Sequence, residues 1–445
     1  MRSFFLVVVC GLLAWAFLRF FPHGETLAPG SEASPAPQVV TDPPAAPAAE
    51  PATAPSAEPV EPVAASVPKG GPFTPNPLPG ALGPVAPAVN QLAASFAFGR
   101  DEAALRAQLE QARPALAGPS AALAGCFIDG LFGRVEASRE KATQLHANGL
   151  LGEPEQKLVA MFFGLQSAGA DQIALPEGNT AHETLLRGLW LAFSRELARR
   201  QTAANLLAEA SSSYTRLLMG LLDSTWPMDA AAMETTMVEL RELQKQYRWN
   251  PKASWAAVEL VVEPGDSLIK LRKKLEVSHP GLRVNTELIQ RVNGLKSDVL
   301  QPGMKLRVPT DPVHVLVDVD KRWLLYFIGE QVVDGWQVGV GKPGEETLLG
   351  EFVIGTKQPE PMHFPRGKKE VPYGHPDNPL GTHWLAWRRP DAPKEEKDLS
   401  YGFHGTWEDE TVGQAASQGC VRMTNEKVLQ LFQTLPVGAR VLVRA

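Results

Sequence analysis

The sequence predicts a multidomain chain with an all-α region first, a small βααβ module second and a mostly-β domain last. Apolar residues recur at three- and four-residue spacing over residues 89–250, which is typical of amphipathic helices. A strand, two helices and a second strand follow within residues 255–310, and short alternating strands dominate residues 312–445. At 445 residues the chain is long enough for two or three such domains.

The first 21 residues predict an export signal. Arg2 precedes an apolar run at residues 4–18, and Arg19 with two aromatic residues follows it. A positive charge before an apolar run of this length is typical of such signals. The run is short for a spanning helix unless Arg19 reaches the lipid interface, so a signal anchor at residues 4–21 and a cleaved signal peptide are both open. The aromatic residues favour the anchor.

Residues 22–88 predict an extended, disordered linker. Pro, Ala, Glu and Ser dominate this stretch, and few of its residues could build a hydrophobic core. Frequent proline fixes φ and removes amide donors, while the low apolar content cannot offset the entropy of the chain. Such a linker would hold the folded part of the chain away from a membrane but close to it.

Composition excludes one class of function and draws attention to one thiol. With a net charge of −6 and a pI near 5.9, the chain has no bulk attraction for nucleic acid. The cysteines are Cys10 in the apolar run, Cys126 in a helical pattern, and Cys420, and they do not suggest a disulfide framework. Because an oxidising compartment tends to pair thiols, an unpaired Cys420 indicates a thiol kept for reactivity.

The helical region, residues 89–250, carries no catalytic signal. Glycine and proline break its pattern at residues 118–119, 149–154 and 176–178. An antiparallel bundle and a short solenoid of helical hairpins would both explain the pattern, and no internal repeat decides between them. We expect this region to act as a spacer or to bind a partner protein.

The module at residues 255–310 resembles the lysin motif (LysM). It has the Gly-Asp-Ser-Leu start, the Asn-Gly-Leu centre, the Pro-Gly turn and the final strand of that motif, and Asp266 or Ser267 is placed to cap its first helix. The segment between its helices, residues 276–284, is longer than the motif usually has. The resemblance implies binding to the N-acetylglucosamine-containing glycan strands of peptidoglycan.

Two short stretches near the end of the chain carry the chemistry, residues 401–406 (YGFHGT) and 417–423 (SQGCVRM). A cysteine nucleophile must become a thiolate, and a histidine can take its proton and later return it to a leaving amine. A glycine beside the cysteine allows a sharp turn that aims backbone amides at a developing oxyanion. A helix is predicted directly afterwards, at residues 425–435, with Thr424 as its N-cap.

These stretches resemble the L,D-transpeptidase catalytic domain. Fifteen residues separate the histidine from the cysteine, and residues 349–352 (LGEF) and 378–381 (NPLG) match further family stretches. The resemblance spans residues 313–445 and implies a role for each residue of the site. The predicted site residues are the nucleophile Cys420, the base His404, the oxyanion-hole amides of Gly419 and Cys420, and the substrate-binding residues Arg422, Ser417 and Gly405.

Two positions depart from the family pattern. Many members carry histidine directly before the Gly-Cys pair, where this chain has Gln418. The strand that often begins Thr-Pro-Thr-Gly reads TLLG at residues 347–350. The first departure removes an imidazole from the site wall but leaves the base in place, so we expect an altered substrate preference.

The resemblance implies acyl transfer between peptidoglycan stem peptides in a bacterial cell envelope, periplasmic or extracytoplasmic. Cys420 would attack the carbonyl of the third stem residue, diaminopimelate in this family, and expel the terminal D-alanine. An amine of a neighbouring stem would then accept the acyl group and form a cross-link. Water as acceptor would make the enzyme an L,D-carboxypeptidase, and a protein amine would make it an anchoring transferase. Thiol acyl transfer requires no cofactor.

Three other interpretations compete with this one. The histidines at 363, 375 and 383 invite a metal site, but they lack recognisable ligand spacing. A non-catalytic peptidoglycan-binding scaffold would explain Gln418, although a degenerate site would not need both the cysteine and the histidine. A papain-like peptidase predicts a cysteine that precedes its histidine, which is opposite to the order here.

Overall fold

A computed structural model gives the fold, and it describes residues 87–98, 101–164, 180–223, 230–365, 369–393 and 395–445. The predicted signal at 1–21, nearly all of the predicted linker and the helix break at 176–178 lie outside the described residues. In the ranges that are described, no helix is both long enough and apolar enough to cross a membrane. The anchor at residues 4–21 therefore stays a prediction.

Side-chain caps fix the start of several helices in the helical region. Asp101 accepts the amide of Ala104 at 3.0 Å, and Thr180 forms a reciprocal capping box with Glu183. The glycine-proline break at 118–119 lies at the start of a helix, as expected. The helices are α1 (Pro87–Phe98), α2 (Glu102–Ala112), α3 (Gly118–Leu131), α4 (Val135–Ala147), α5 (Glu153–Gly164), α6 (Ala181–Ala203), α7 (Leu207–Asp223) and α8 (Ala230–Gln246).

A Ser-His-Glu network ties α3, α5 and α6 together. Nδ1 of His182 lies 2.7 Å from the hydroxyl of Ser120, and its Nε2 lies 2.5 Å from a carboxylate oxygen of Glu155. Ser120 is only 3% exposed, so its hydroxyl is shielded from any sizeable substrate. This network therefore has a structural role.

The second module has the predicted strand-helix-helix-strand order. Its elements are β1 (Ala257–Val261), α9 (Leu268–Ser278), α10 (Thr286–Val292) and β2 (Lys305–Pro309), and the two strands pair antiparallel. Ser267 caps α9, because its hydroxyl accepts the amide of Lys270 at 3.3 Å. Asp266 instead accepts the amide of Glu263 at 3.0 Å and closes the preceding turn.

The last domain is built on an eight-stranded mixed sheet with the strand order β11-β9-β8-β7-β12-β3-β4-β5. β12 is parallel to β3 and antiparallel to β7, and β11 is parallel to β9. The elements are β3 (Val313–Asp318), β4 (Trp323–Ile328), β5 (Gln331–Gln337), β6 (Val340–Gly341), β7 (Gly350–Pro359), β8 (His383–Arg388), β9 (Gly402–His404), β10 (Ala415–Ser417), β11 (Val421–Arg422), α11 (Asn425–Thr434) and β12 (Arg440–Arg444). The predicted fold class is confirmed.

The helical region packs on one face of this sheet. Every residue of β4 is buried, and alternate side chains point to opposite faces. Trp323, Leu325 and Phe327 belong to the hydrophobic core of the helical region. The intervening residues of β4 belong to a second hydrophobic core, which also includes residues of the LysM-like module and of α11. The two cores are therefore separated by the sheet itself.

The helical region also covers the edge of the sheet at β5. The hydroxyl of Thr215 accepts the amide of Val332 at 2.8 Å, and Gln244 donates to the carbonyl of Val332 at 3.2 Å. Arg241 donates to the carbonyl of Gly335 at 2.6 Å. An edge strand presents unpaired amides and carbonyls that invite association with other chains, and these side chains bond to them. The helical region thus has an intramolecular partner; a separate protein partner stays a prediction.

The LysM-like module packs directly against the last domain. Only residues 310–312 separate β2 from β3. The side chain of Asn285, which caps α10, donates to the carbonyl of Gln433 at 2.6 Å. Arg283, in the long segment between the helices, lies within 3.2 Å of the position that a Cβ on Gly438 would occupy. The extra length of this segment therefore serves contact between the domains.

Candidate active site

Cys420 and His404 come from neighbouring strands at one end of the sheet. His404 is the last residue of β9, and Cys420 directly precedes β11. The strands run parallel with Arg422 opposite His404, and the amide of Met423 donates to the carbonyl of His404 at 2.9 Å. The fold therefore places the two motifs side by side.

The imidazole of His404 is buried and held in one tautomer. It is 3% exposed, and the ring of Trp384 stacks on it at 6.1 Å between centroids. Nδ1 lies 2.5 Å from the carbonyl oxygen of Gly405, which can only accept, so Nδ1 carries the proton. Burial lowers the pKa of His404 to about 4, and the ring is neutral at physiological pH. Nε2 keeps the lone pair that a general base requires.

The thiol of Cys420 is neutral in the resting site. Burial raises its pKa to about 11, although a backbone hydrogen bond from Gly402 and the charge of Arg422 act in the opposite direction. The sulfur lies 3.7 Å from the carbonyl oxygen of Ser400, to which the thiol donates. A neutral thiol and a neutral imidazole on neighbouring strands indicate proton transfer during attack, and not a preformed ion pair.

The turn before Cys420 depends on Gly419 and Ser417. Gly419 has a φ of +102°, and a Cβ there would lie 2.5 Å from Cε1 of Tyr401. The buried hydroxyl of Ser417 donates to the carbonyl of Cys420 at 2.6 Å and accepts the amide of Gly419 at 3.2 Å. Ser417 therefore fixes the turn. Its role in substrate binding, and the oxyanion-hole role of the Gly419 and Cys420 amides, stay predictions.

Arg422 and Gly405 also make contacts within the protein. Nη1 of Arg422 lies 2.8 Å from the hydroxyl of Thr411 and 3.3 Å from a carboxylate oxygen of Glu408. Nε of Arg422 is buried and has no hydrogen-bond partner among the described residues. A substrate carboxylate at Arg422 would compete with Glu408, whose side chain is 65% exposed. Gly405 supplies the acceptor for His404, and substrate binding by either residue stays a prediction.

Four residues around the site received no role from the sequence. Ser400 directly precedes the histidine motif, Tyr401 is the first residue of that motif, and Trp384 lies opposite His404 on β8. Asn425 follows the predicted cap Thr424 and looks like an ordinary first residue of a helix. A position within or next to the two motifs was the only sequence signal that could have marked Ser400, Tyr401 and Asn425, and Trp384 is distant from both motifs in sequence.

The three histidines considered as metal ligands, at 363, 375 and 383, have separate surroundings. His363 pairs through its backbone with Val371, Nδ1 of His375 accepts the amide of Asp377 at 3.1 Å, and His383 packs on Phe432. In the part of the chain that the structure describes, no group of three or more His, Cys, Asp or Glu side chains is arranged to hold a metal ion.

The buried His404 predicts a loss of stability at acid pH. Its pKa is about 4 in the folded chain, against an ordinary value of 6.5, so the unfolded chain binds this proton more readily. The stabilisation is present above pH 6.5 and is lost as the pH falls towards 4, by up to about 3 kcal/mol. We expect the unfolding free energy of the wild type relative to His404→Gln to fall by this order between pH 7 and pH 4.5. Urea unfolding of both proteins at pH 7 and pH 4.5 measures this difference in unfolding free energy. A difference that is the same at both pH values would contradict the prediction.

Two family models match the chain. A model described as the L,D-transpeptidase catalytic domain matches residues 312–443, and a LysM domain model matches residues 260–309. Both resemblances that the motifs indicated are therefore confirmed.

Several known proteins and solved structures are similar to part of this chain. "Putative L,D-transpeptidase YqjB" of Bacillus subtilis is 39% identical over 136 residues, which cover 31% of this chain and 73% of that protein. "Putative L,D-transpeptidase YkuD" of Bacillus licheniformis is 28% identical over 188 residues, which cover 41% and 96%. The solved L,D-transpeptidase from Mycobacterium smegmatis is 20% identical with a TM-score of 0.25, over 32% of this chain and 64% of that one. These matches to its last domain show that this chain belongs to the L,D-transpeptidase family.

Proposed function

We propose that the chain is a peptidoglycan L,D-transpeptidase with Cys420 as its nucleophile and His404 as its general base. One observation carries the proposal: a buried, neutral His404, with Nδ1 bonded to Gly405, lies on the strand beside Cys420. This arrangement leaves Nε2 to take a proton. Membership of the family supplies the class of reaction.

In the first half-reaction the sulfur of Cys420 attacks the carbonyl carbon of the third residue of a donor stem. Nε2 of His404 takes the thiol proton as the carbon-sulfur bond forms, and the amide of Cys420 would stabilise the oxyanion. When the tetrahedral intermediate collapses, Nε2 returns the proton to the leaving amine of the terminal D-alanine. A thioester on Cys420 and free D-alanine result.

In the second half-reaction an amine of a neighbouring stem attacks the thioester. His404 takes a proton from this amine, an amide bond forms, and the thiol of Cys420 leaves with the proton restored. The same residues would serve water or a protein amine as acceptor. We favour the stem amine because it is the reaction for which the family is named.

The LysM domain supports peptidoglycan as the substrate. It shares a hydrophobic core with the catalytic domain and is joined to it by residues 310–312. A glycan strand on this module would therefore be held beside the catalytic domain and would present its stems at high local concentration. We place the protein outside the cytoplasm at the cell wall, with residues 4–21 as its proposed inner-membrane anchor.

The substrate experiment incubates the purified chain with a disaccharide-tetrapeptide and follows the products by mass spectrometry. The expected products are free D-alanine and a dimer joined through the third residue of the donor stem, and neither forms with Cys420→Ala. Release of D-alanine without dimer would identify an L,D-carboxypeptidase. An intact substrate with a folded wild-type enzyme would overturn the proposal.

A further inference from the structure

Asn425 is the first residue of α11, and its side chain bonds to two separate backbone segments near His404. Its Oδ1 accepts the amide of Thr382 at 2.9 Å, and its Nδ2 donates to the carbonyl of Thr406 at 2.7 Å. Thr382 precedes β8, and Thr406 is two residues beyond His404. One side chain on a helix therefore fixes the chain on both sides of the β8-β9 pair.

Two glycines leave the space that the Asn425 amide occupies. A Cβ on Gly381, which has a φ of +61°, would lie 2.3 Å from Oδ1 of Asn425. A Cβ on Gly405 would lie 2.1 Å from the same atom. Real Cβ atoms do not approach oxygen so closely, so either side chain would displace the amide. The Gly-Thr pairs at 381–382 and 405–406 are thus both shaped around Asn425.

The bond from Asn425 holds the carbonyl that follows the peptide on which the tautomer of His404 depends. The amide of Gly405 donates to the carbonyl of His383 at 3.2 Å, and the carbonyl of Gly405 accepts from Nδ1 of His404. The next carbonyl, that of Thr406, is the one that Asn425 holds. If Thr406 were released, the Gly405 peptide could rotate, and the acceptor that keeps the proton on Nδ1 would move.

We propose that Asn425 is a positioning residue for catalysis: it holds the carbonyl of Thr406, which keeps the preceding Gly405–Thr406 peptide in place, so that His404 keeps its proton on Nδ1 and its lone pair on Nε2. This inference rests on the proposed role of His404 as the base. Asn425 acts through His404 and has no contact with the reacting atoms in this account.

Asn425→Asp tests the inference with the smallest change of shape. The carboxylate keeps the acceptor for the amide of Thr382 but turns an oxygen towards the carbonyl of Thr406, so repulsion replaces the hydrogen bond. An acidic side chain in the first turn of a helix is favoured by the helix dipole, so α11 is expected to form. Gly405→Ala, whose methyl would displace the Asn425 amide, serves as a second variant if Asn425→Asp does not fold.

Two readouts are measured on the full chain: the rate of acylation by imipenem, from intact mass, and the tautomer of His404, from nitrogen NMR of histidine-labelled protein. We expect acylation of Asn425→Asp to be between about 10-fold and 100-fold slower. We also expect its His404 signal to show protonated Nε2, which a purely structural role would not produce. His404→Gln identifies the signal.

Asn250→Asp is the matched control. Asn250 likewise donates to one carbonyl, that of Gln246 at 3.1 Å, and accepts one amide, that of Lys252 at 3.0 Å, but it is the last residue of the helical region. The acylation rate of Asn250→Asp and the tautomer of its His404 should equal those of the wild type. A folded Asn425→Asp with the wild-type tautomer would overturn the inference, whatever its rate, while leaving the proposed function intact. A wild type that is not acylated would overturn the proposed function, and the tautomer comparison would still decide the role of Asn425.

Discussion

Replacing His404 with alanine is expected to slow acylation of Cys420 by at least about 100-fold at neutral pH. Burial raises the pKa of the Cys420 thiol to about 11, so very little thiolate exists at pH 7 without a base to take the proton. In the wild type, the neutral His404 supplies that base at any pH well above its own pKa of about 4. The measurement is the rate of imipenem acylation, followed by intact mass.

The pH dependence separates this explanation from general damage to the site. The wild-type rate should be nearly constant from pH 6 to pH 9, whereas the His404→Ala rate should rise by about tenfold per pH unit as thiolate forms. His146→Ala, which removes an exposed histidine of the helical region, should match the wild type. A His404→Ala variant with the wild-type rate and a flat profile would show that another group takes the proton.

Removal of the helical region is expected to leave an insoluble catalytic domain. A chain that starts at residue 251 would expose Trp323, Leu325 and Phe327 on one face of the sheet. Burial of a large apolar side chain contributes about 2 kcal/mol, so exposing these three removes roughly 6 kcal/mol of stabilising free energy. This is a large share of the roughly 5–15 kcal/mol by which a domain is typically stable. The backbone of β5 would also become an open edge.

Soluble yield and sedimentation measure this effect. A chain that starts at residue 87 keeps the helical region and should be soluble and monodisperse, whereas the chain that starts at 251 should aggregate. The substitution Phe327→Asp in the longer chain should also lower the unfolding temperature, because it places a charge between the helices and the sheet. A soluble, cooperatively unfolding 251–445 fragment would contradict the shared core.

Local sequence signals predicted the elements of the fold because each has a local physical cause. Thr424 was recognised as a helix cap, and its hydroxyl does accept the amide of Lys427 at 3.4 Å. The two short stretches around His404 and Cys420 likewise mark their strands and turn. The β4 sequence WLLYFI indicates burial on both faces, but periodicity does not say what covers each face. Contact between the helical region and the sheet therefore emerged only from the structure.

The parts of the site that sequence did not predict depend on contacts between distant segments. Ser417 and Gly405 were predicted to bind substrate, which stays a prediction, but the sequence did not indicate that their polar atoms bond to Cys420 and His404 inside the protein. Asn425 resembles a solvated polar residue at a helix start until Thr382 and Thr406 are placed beside it. Residue type and spacing predicted which groups react, whereas the side chains packed around these groups are defined by tertiary structure.

The most direct test of the central claim is the intact mass of the purified protein after incubation with imipenem. The wild type should gain one drug adduct, and peptide mapping should place it on Cys420. Cys420→Ala should gain none, and His404→Ala should gain it only slowly. A folded wild type without an adduct, or an adduct that persists in Cys420→Ala, would contradict Cys420 as the nucleophile and favour a peptidoglycan-binding scaffold without this activity.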